Sequence, residues 1–408
     1  MITSTGITPL RIDRLFLLMA SVFTVSMGYG VVLPVLPFWL DRLAGSVPGL
    51  SVSWHTGMLT AVYMLTLFAF APLWGSASDR VGRRPVILFG LGGLAAALVL
   101  FGLTRNLGLG YLVMALGGVF ASAVLPATLA YVADTSTREW RARRFAWMSA
   151  ASLLGFLAGP AMAGWLSGVA MAMPSGSMAR AGAIWLPFVL TAAIGAAVGL
   201  ASYFLLPEPV APPSYSHDNV SLRQRDGTLK WLFLLSLLVM FGLGSFEVGI
   251  TLLGQRSLGL DPASIGIMFM ECSLVMLAVQ ALFFSSLGAR FGRAAIAPAF
   301  LAMAAGLGLL PGTTGFGVLL LWVGLVAAGS GILLPLLSYR VSLHAGTSQG
   351  AALGRQTAAA SLGQATGSAA AGLLFGIRSE APFWLTAGLL VAGAAIALGV
   401  GTPARSAQ

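Results

Sequence analysis

Two glutamates stand where carboxylates are costly. Glu247 and Glu271 each interrupt an apolar run long enough to cross a membrane. An ionisable group near the bilayer centre costs about 2.5–3.5 kcal/mol on insertion scales, and less nearer the surface. Counted at about 1.5 Å per residue from the outer ends of their runs, both sit about 12 Å deep on consecutive antiparallel helices. An acid at that depth can load a proton from one side and release it to the other. Two other roles stay open for each: a hydrogen-bonded structural acid, or a counter-charge for a bound cation. Whether the pair face one another depends on helix rotation, which the sequence leaves unspecified.

The second group able to do chemistry is the run Gly75-Ser-Ala-Ser-Asp79-Arg80-Val-Gly82-Arg83-Arg84. It falls between two apolar stretches, where only a short turn fits. Its glycines allow a tight turn and close helix approach. Its arginines mark the cytoplasmic side, and Asp79 is a lone acid that needs a donor. A related cluster, Asp134 with Glu139, Arg141, Arg143 and Arg144, follows the fourth apolar stretch. It reads equally as a gating partner or as a solvated loop of topological arginines.

The elements that must hold these residues are transmembrane helices. Of 408 residues, 58% are hydrophobic and 8% charged, against the quarter charged that is usual in soluble domains. Twelve spans are expected, near 15–40, 52–75, 86–104, 109–132, 145–169, 182–206, 230–255, 263–287, 294–311, 315–337, 353–377 and 382–401. Lipid excludes open strands. Of the 22 Lys and Arg, only Arg42, Arg105, Arg180, Arg256 and Arg378 fall on the outer side of this topology. That bias places both termini in the cytoplasm. The net charge of +10 is therefore a topology signal and not a nucleic-acid footprint. The polar segment 207–229 divides the spans into bundles at 1–206 and 230–408 and reads as a cytoplasmic linker. The amino-terminal run lacks the pattern of a cleavable signal. The single Cys272 excludes a disulfide framework, and scattered His55, His217 and His344 give no metal site.

The halves repeat. Gly155, Gly159 and Gly164 in span five have the spacing of Gly363, Gly367 and Gly372 in span eleven, 208 residues later. Gly82-Arg83 recurs as Gly292-Arg293 and Arg80 as Arg290, while Ala289 stands where Asp79 does. Duplicated halves are common in secondary transporters.

With these motifs in place, nearly the whole chain resembles the major facilitator superfamily, and within it the 12-span drug:proton antiporters. The Gly75–Arg84 run is similar to the signature between that family's second and third helices. Val32-Leu-Pro34-Val-Leu-Pro37 is similar to its P-x-x-P element, and Gly155-x-x-x-Gly159-Pro160-x-x-x-Gly164 to its antiporter motif in span five. The resemblance implies an all-α fold of two pseudo-symmetric six-helix bundles. It implies a cytoplasmic latch made by Gly75, Asp79, Arg80, Gly82, Arg83 and Arg84. It also places Tyr29, Tyr63, Phe246, Gln280, Gln356 and Gln364 on spans that line the family's substrate cavity. One departure stands out: span four reads Met114-Ala-Leu-Gly117-Gly118, without the arginine and glutamine common in such antiporters.

The resulting expectation is a secondary carrier working by alternating access, exporting a small amphipathic molecule or drug in exchange for protons. Glu247 and Glu271 are the proton-coupling candidates, and the proton gradient, not a cofactor or metal, is the driving force. The alternative is an importer or facilitator, or a carrier of one dedicated metabolite such as a siderophore or lipid-like compound. The expected partners are the substrate, protons and membrane lipid, with a monomer as the working unit in a bacterial inner membrane. An enzyme is disfavoured, since no Walker loop, HExxH pair or G-x-S-x-G elbow occurs.

Overall fold

The computed structural model describes residues 12–44, 49, 51–136, 138–171, 177–208, 227–283, 292–313, 315–344 and 349–399. Twelve α-helices lie within them: α1 (Ile12–Ala44), α2 (Val52–Val81), α3 (Arg83–Leu103), α4 (Leu107–Asp134), α5 (Arg138–Met171) and α6 (Ser177–Leu205) in the first half, then α7 (Gly227–Leu252), α8 (Pro262–Phe283), α9 (Ile296–Leu309), α10 (Phe316–His344), α11 (Gln349–Ile377) and α12 (Ala381–Gly399). A π-turn extends α7 over Leu253–Ser257, and 3-10 turns flank α9. No strand occurs among the described residues.

Ten of these helices are long and apolar enough to cross a membrane. The exceptions among the described residues are the short α9 and α11, whose Ala, Gly, Ser, Thr and Gln content dilutes its hydropathy. Helix is the only local answer that satisfies every backbone polar group in lipid. Many hydroxyls are absorbed the same way: those of Ser21, Thr24, Thr56 and Thr60 donate to carbonyls four residues back. Outward faces are apolar, and exposed Trp54, Trp140, Trp165, Trp231 and Trp384 lie near helix ends, where interfacial tryptophans belong. Pro34 and Pro37 lie inside α1, which runs on through both.

The contacts divide the chain into two units. The first comprises Met1–Pro48, Val62–Asp218 and Asp261–Met270; the second comprises Gly49–Ala61, Asn219–Leu260 and Glu271–Gln408. The start of α2 therefore groups with the second unit and the start of α8 with the first.

Glycines explain the packing inside each unit. In the first, α1 and α5 form the most extensive pair. Gly155 faces the Phe23 carbonyl, and a Cβ on Gly159 would come within 2.6 Å of Met27 O. In the second, α7 packs most extensively on α11, with Gly363 against the Leu237 carbonyl and Gly367 against that of Phe241. The third glycine of each set makes the corresponding contact in its own unit. A Cβ on Gly164 would be 3.0 Å from Ala263 Cα, and one on Gly372 would be 2.8 Å from Gly57 Cα. The spacing seen in the sequence is thus a repeated set of backbone-on-backbone contacts, the form helix packing takes where lipid removes the hydrophobic drive.

Candidate functional site

In the first unit, the signature run is mostly helix. The sequence suggests a loop, but α2 continues through Gly75–Val81 and α3 starts at Arg83. Only Gly82 leaves the helical region, with φ +107, a value that an L side chain adopts under strain. Ser78 Oγ donates to Gly75 O at 2.8 Å and Gly82 N to Ser78 O at 3.2 Å. These bonds carry the helix to its last residue.

Arg83 is the centre of the cluster. Its Nη1 lies 2.5 Å from Asp79 Oδ1 and 2.6 Å from Ser78 Oγ, while Nε donates to Asp134 Oδ2 at 3.0 Å. One guanidinium thus ties the end of α2 and the end of α4 to the start of α3. The Asp79 side chain is 54% exposed and that of Asp134 21%. The Asp134 pair is therefore the better sheltered, and the Asp79 pair counts as a surface ion pair of about 0–1 kcal/mol. The donor that Asp79 needs is Arg83, four residues along and the first residue of α3. Asp134 is the acid supplied by a neighbour. Arg80 is exposed, and nothing lies within 4 Å of a Cβ placed on Gly75.

Glu208 was missed by sequence reasoning, which assigned it to the linker. Its Oε1 accepts from Arg83 N at 2.5 Å and its Oε2 from Arg84 N at 3.0 Å. A carboxylate there satisfies two orphan N–H groups at the positive end of α3. Close by, Tyr131 Oη donates to Pro207 O at 2.7 Å, while the Arg84 guanidinium donates to Tyr203 O and lies 5.0 Å from that ring's centroid. The available signal was Pro207-Glu208-Pro209 directly after span six. Arg144 Nη1 donates to Ser136 Oγ at 2.6 Å, closing the α4–α5 turn. The side chains of Glu139, Arg141, Arg143 and Arg293, and the whole of Arg290, lie outside the described residues.

Also in the first unit, Tyr29 and Tyr63 stack at 5.3 Å and 13°, and Phe156 continues the stack at 5.9 Å from Tyr29. Both tyrosines are buried and border a small apolar cavity with Leu94, Leu98, Met114 and Gly117, between α1, α2, α3 and α4. Its wall offers almost nothing to hydrogen-bond. Met114 and Gly117 occupy the stretch where the resembled antiporters carry an arginine.

The second unit holds both acids. Glu247 on α7 is 6% exposed and Gln364 on α11 8%; Gln364 Nε2 donates to Glu247 Oε2 at 3.1 Å. Gly244, one turn earlier on α7, fixes this crossing. It faces the backbone carbonyl of Gln364, and its own carbonyl accepts from Ser368 Oγ at 3.3 Å. Glu271 on α8 is half-buried, its Oε1 lies 2.9 Å from where a Cβ on Gly324 would stand, and its Oε2 is buried without a hydrogen-bond partner among the described residues. Both carboxylates lie within electrostatic reach of the Cys272 thiol. Phe246 is 1% exposed and packs in the core. Gln356, nearer the opposite end of α11, bridges Ser236 of α7 and Ser338 of α10 at 3.1 Å each. Gln280 is half-buried on α8.

Three comparisons bear on this arrangement. The family model described as Major Facilitator Superfamily matches residues 18–347. Among curated proteins, "Multidrug resistance protein 2" of Bacillus subtilis is 27% identical over 391 residues, 92% of each chain. "Quinolone resistance protein NorA" of Staphylococcus aureus is 27% identical, covering 94% of this chain and 96% of its own. Among solved structures, a D-xylose-proton symporter superposes with a TM-score of 0.74 at 18% identity over 94% of this chain and 96% of its own. The human organic anion transporter MFSD10 does so with 0.70 at 20% over 96% and 100%; both likenesses are of fold. A model matching most of the length, on a chain of apolar helices whose two halves repeat one glycine pattern, places this integral membrane protein in the Major Facilitator Superfamily of transporters.

Proposed function

We propose that the chain is a proton-coupled exporter of a small amphipathic molecule, working by alternating access in a bacterial inner membrane with both termini cytoplasmic. The observation that carries this reading is the pair of membrane-depth acids, Glu247 and Glu271, in one unit. Glu247 is held by an amide and Glu271 presents an unsatisfied oxygen, an arrangement suited to taking up and releasing a proton. The names of the relatives, multidrug and quinolone resistance proteins, support an exported drug-like cargo. The Arg83 cluster serves as the cytoplasmic latch, since one side chain there joins three helix ends. A monomer suffices for this cycle.

One observation favours a second reading, a facilitator or a carrier of one dedicated metabolite. The span-four stretch that bears a charge in the resembled antiporters here borders an apolar cavity.

The test is uptake into proteoliposomes under an imposed pH gradient, over cationic, neutral and anionic compounds. Transport that ignores the gradient for every active compound eliminates antiport. Glu247→Gln and Glu271→Gln, made separately, assign the proton path; unchanged pH dependence in both removes them from it.

A further inference from the structure

We infer that Gln364 is a positioning residue that sets the protonation behaviour of Glu247 and keeps α7 and α11 joined in both of its charge states. The inference rests on Glu247 carrying the transported proton, as proposed above. Sequence similarity placed Gln364 among cavity-lining groups, yet its amide is spent on Glu247 inside a buried helix crossing. The crossing cannot slide away from this contact: Gly244 meets the backbone of Gln364 itself, and Ser368 on the next turn bonds the Gly244 carbonyl. The side-chain bond and a close backbone approach therefore share one level of the helix pair.

An amide suits a carboxyl that changes charge. Toward a carboxylate it donates N–H, as here. Toward the neutral acid it presents its carbonyl oxygen after a half-turn of the amide plane, and the acid O–H donates. Nitrogen and oxygen are nearly the same size, so the turn needs no repacking. A lysine or arginine would lock the acid in its charged form, and an apolar residue would leave it unmatched when charged.

Few ionisable groups stand on the elements packed against α7. On α8, Cys272 and Glu271 are the ionisable neighbours. On α7 itself, Lys230 and Arg256 stand toward its two ends, and α9 and α12, also packed on α7, carry no ionisable side chain within Ile296–Leu309 or Ala381–Gly399. Those of α10, Tyr339, Arg340 and His344, follow Ser338, at the level of Gln356 and Ser236, and Arg355 of α11 is beside that same level.

The experiment is an infrared titration of the full chain in liposomes, following the protonated-carboxyl stretch against pH without added substrate. The band that Glu247→Gln removes belongs to Glu247. Gln364→Leu takes away a donor that favours the carboxylate, so that band's midpoint moves to higher pH by about one unit, tenfold in proton concentration. The exchanged pair Glu247→Gln with Gln364→Glu restores a titrating carboxyl across the same contact, even if the leucine variant folds poorly. Loss of no band in Glu247→Gln overturns the proton-carrier reading of Glu247, and this inference with it. A band that Glu247→Gln removes but Gln364→Leu leaves unmoved, or a silent exchanged pair, overturns the role of Gln364 alone.

Discussion

Alanine at Gly155 and alanine at Gly75 are the same chemical change with opposite expected signs. A Cβ on Gly155 would sit 2.9 Å from the carbonyl carbon and 3.0 Å from the Cα of Phe23, and closer still to its oxygen. All three are backbone atoms, so no side-chain rotation relieves the overlap. Ordinary contact begins near 3.4 Å, so α1 and α5 must part by roughly half an ångström or more, at an overpacking cost of about 1–3 kcal/mol. Gly75, inside α2, has nothing within 4 Å of such an atom. Alanine there gains roughly 0.5–1 kcal/mol of helix preference. The two variants should therefore differ by about 1.5–4 kcal/mol. Melting of the purified protein in detergent, followed by tryptophan fluorescence at a fixed scan rate, gives the rank order even where unfolding is irreversible. Gly155→Ala should melt several degrees low and Gly75→Ala at or above the parent. Gly367→Ala, facing the Phe241 carbonyl on α7, should mirror Gly155→Ala. A Gly75→Ala melting as low as Gly155→Ala would refute the helical account of the signature. A neutral Gly155→Ala would refute the α1–α5 backbone contact.

Two further outcomes are expected. Glu208→Ala uncovers the N–H groups of Arg83 and Arg84 at the start of α3, and at this exposed position the loss is about 1 kcal/mol; it reads as a melting shift that Glu208→Gln only partly reproduces. Gln356→Leu removes two neutral hydrogen bonds, about 1–2 kcal/mol, because Ser236 and Ser338 keep their own bonds to Leu232 O and Leu334 O; the melting temperature falls modestly and pH dependence of transport is unchanged.

The sequence carried the helices and the repeat but not the partners. Span positions were legible because lipid demands length and apolarity, and α4 and α12 match their expected stretches closely. The glycine spacing of spans five and eleven was legible because close backbone approach tolerates little else. Rotation was illegible: helices apolar on every side have no polar stripe to mark the inward face, so Glu247 could be placed in depth but not paired with Gln364. The signature run misled because its glycines suggested a loop, whereas only Gly82 needs an unusual dihedral. Glu208 was hidden by distance along the chain, since its partners lie more than a hundred residues away.

Cys272 gives the molecule a built-in reporter. It is the sole cysteine in the sequence, it is 3% exposed on α8, and it adjoins both acids in the electrostatic sense. The wild-type chain is thus already a single-thiol protein, needing no cysteine-free background for labelling. A small maleimide can reach this sulfur only when the packing around α8 loosens, so its alkylation rate, followed by mass, times the opening of the region that holds the acids. Adding a substrate or a pH gradient should change that rate before any transport is measured.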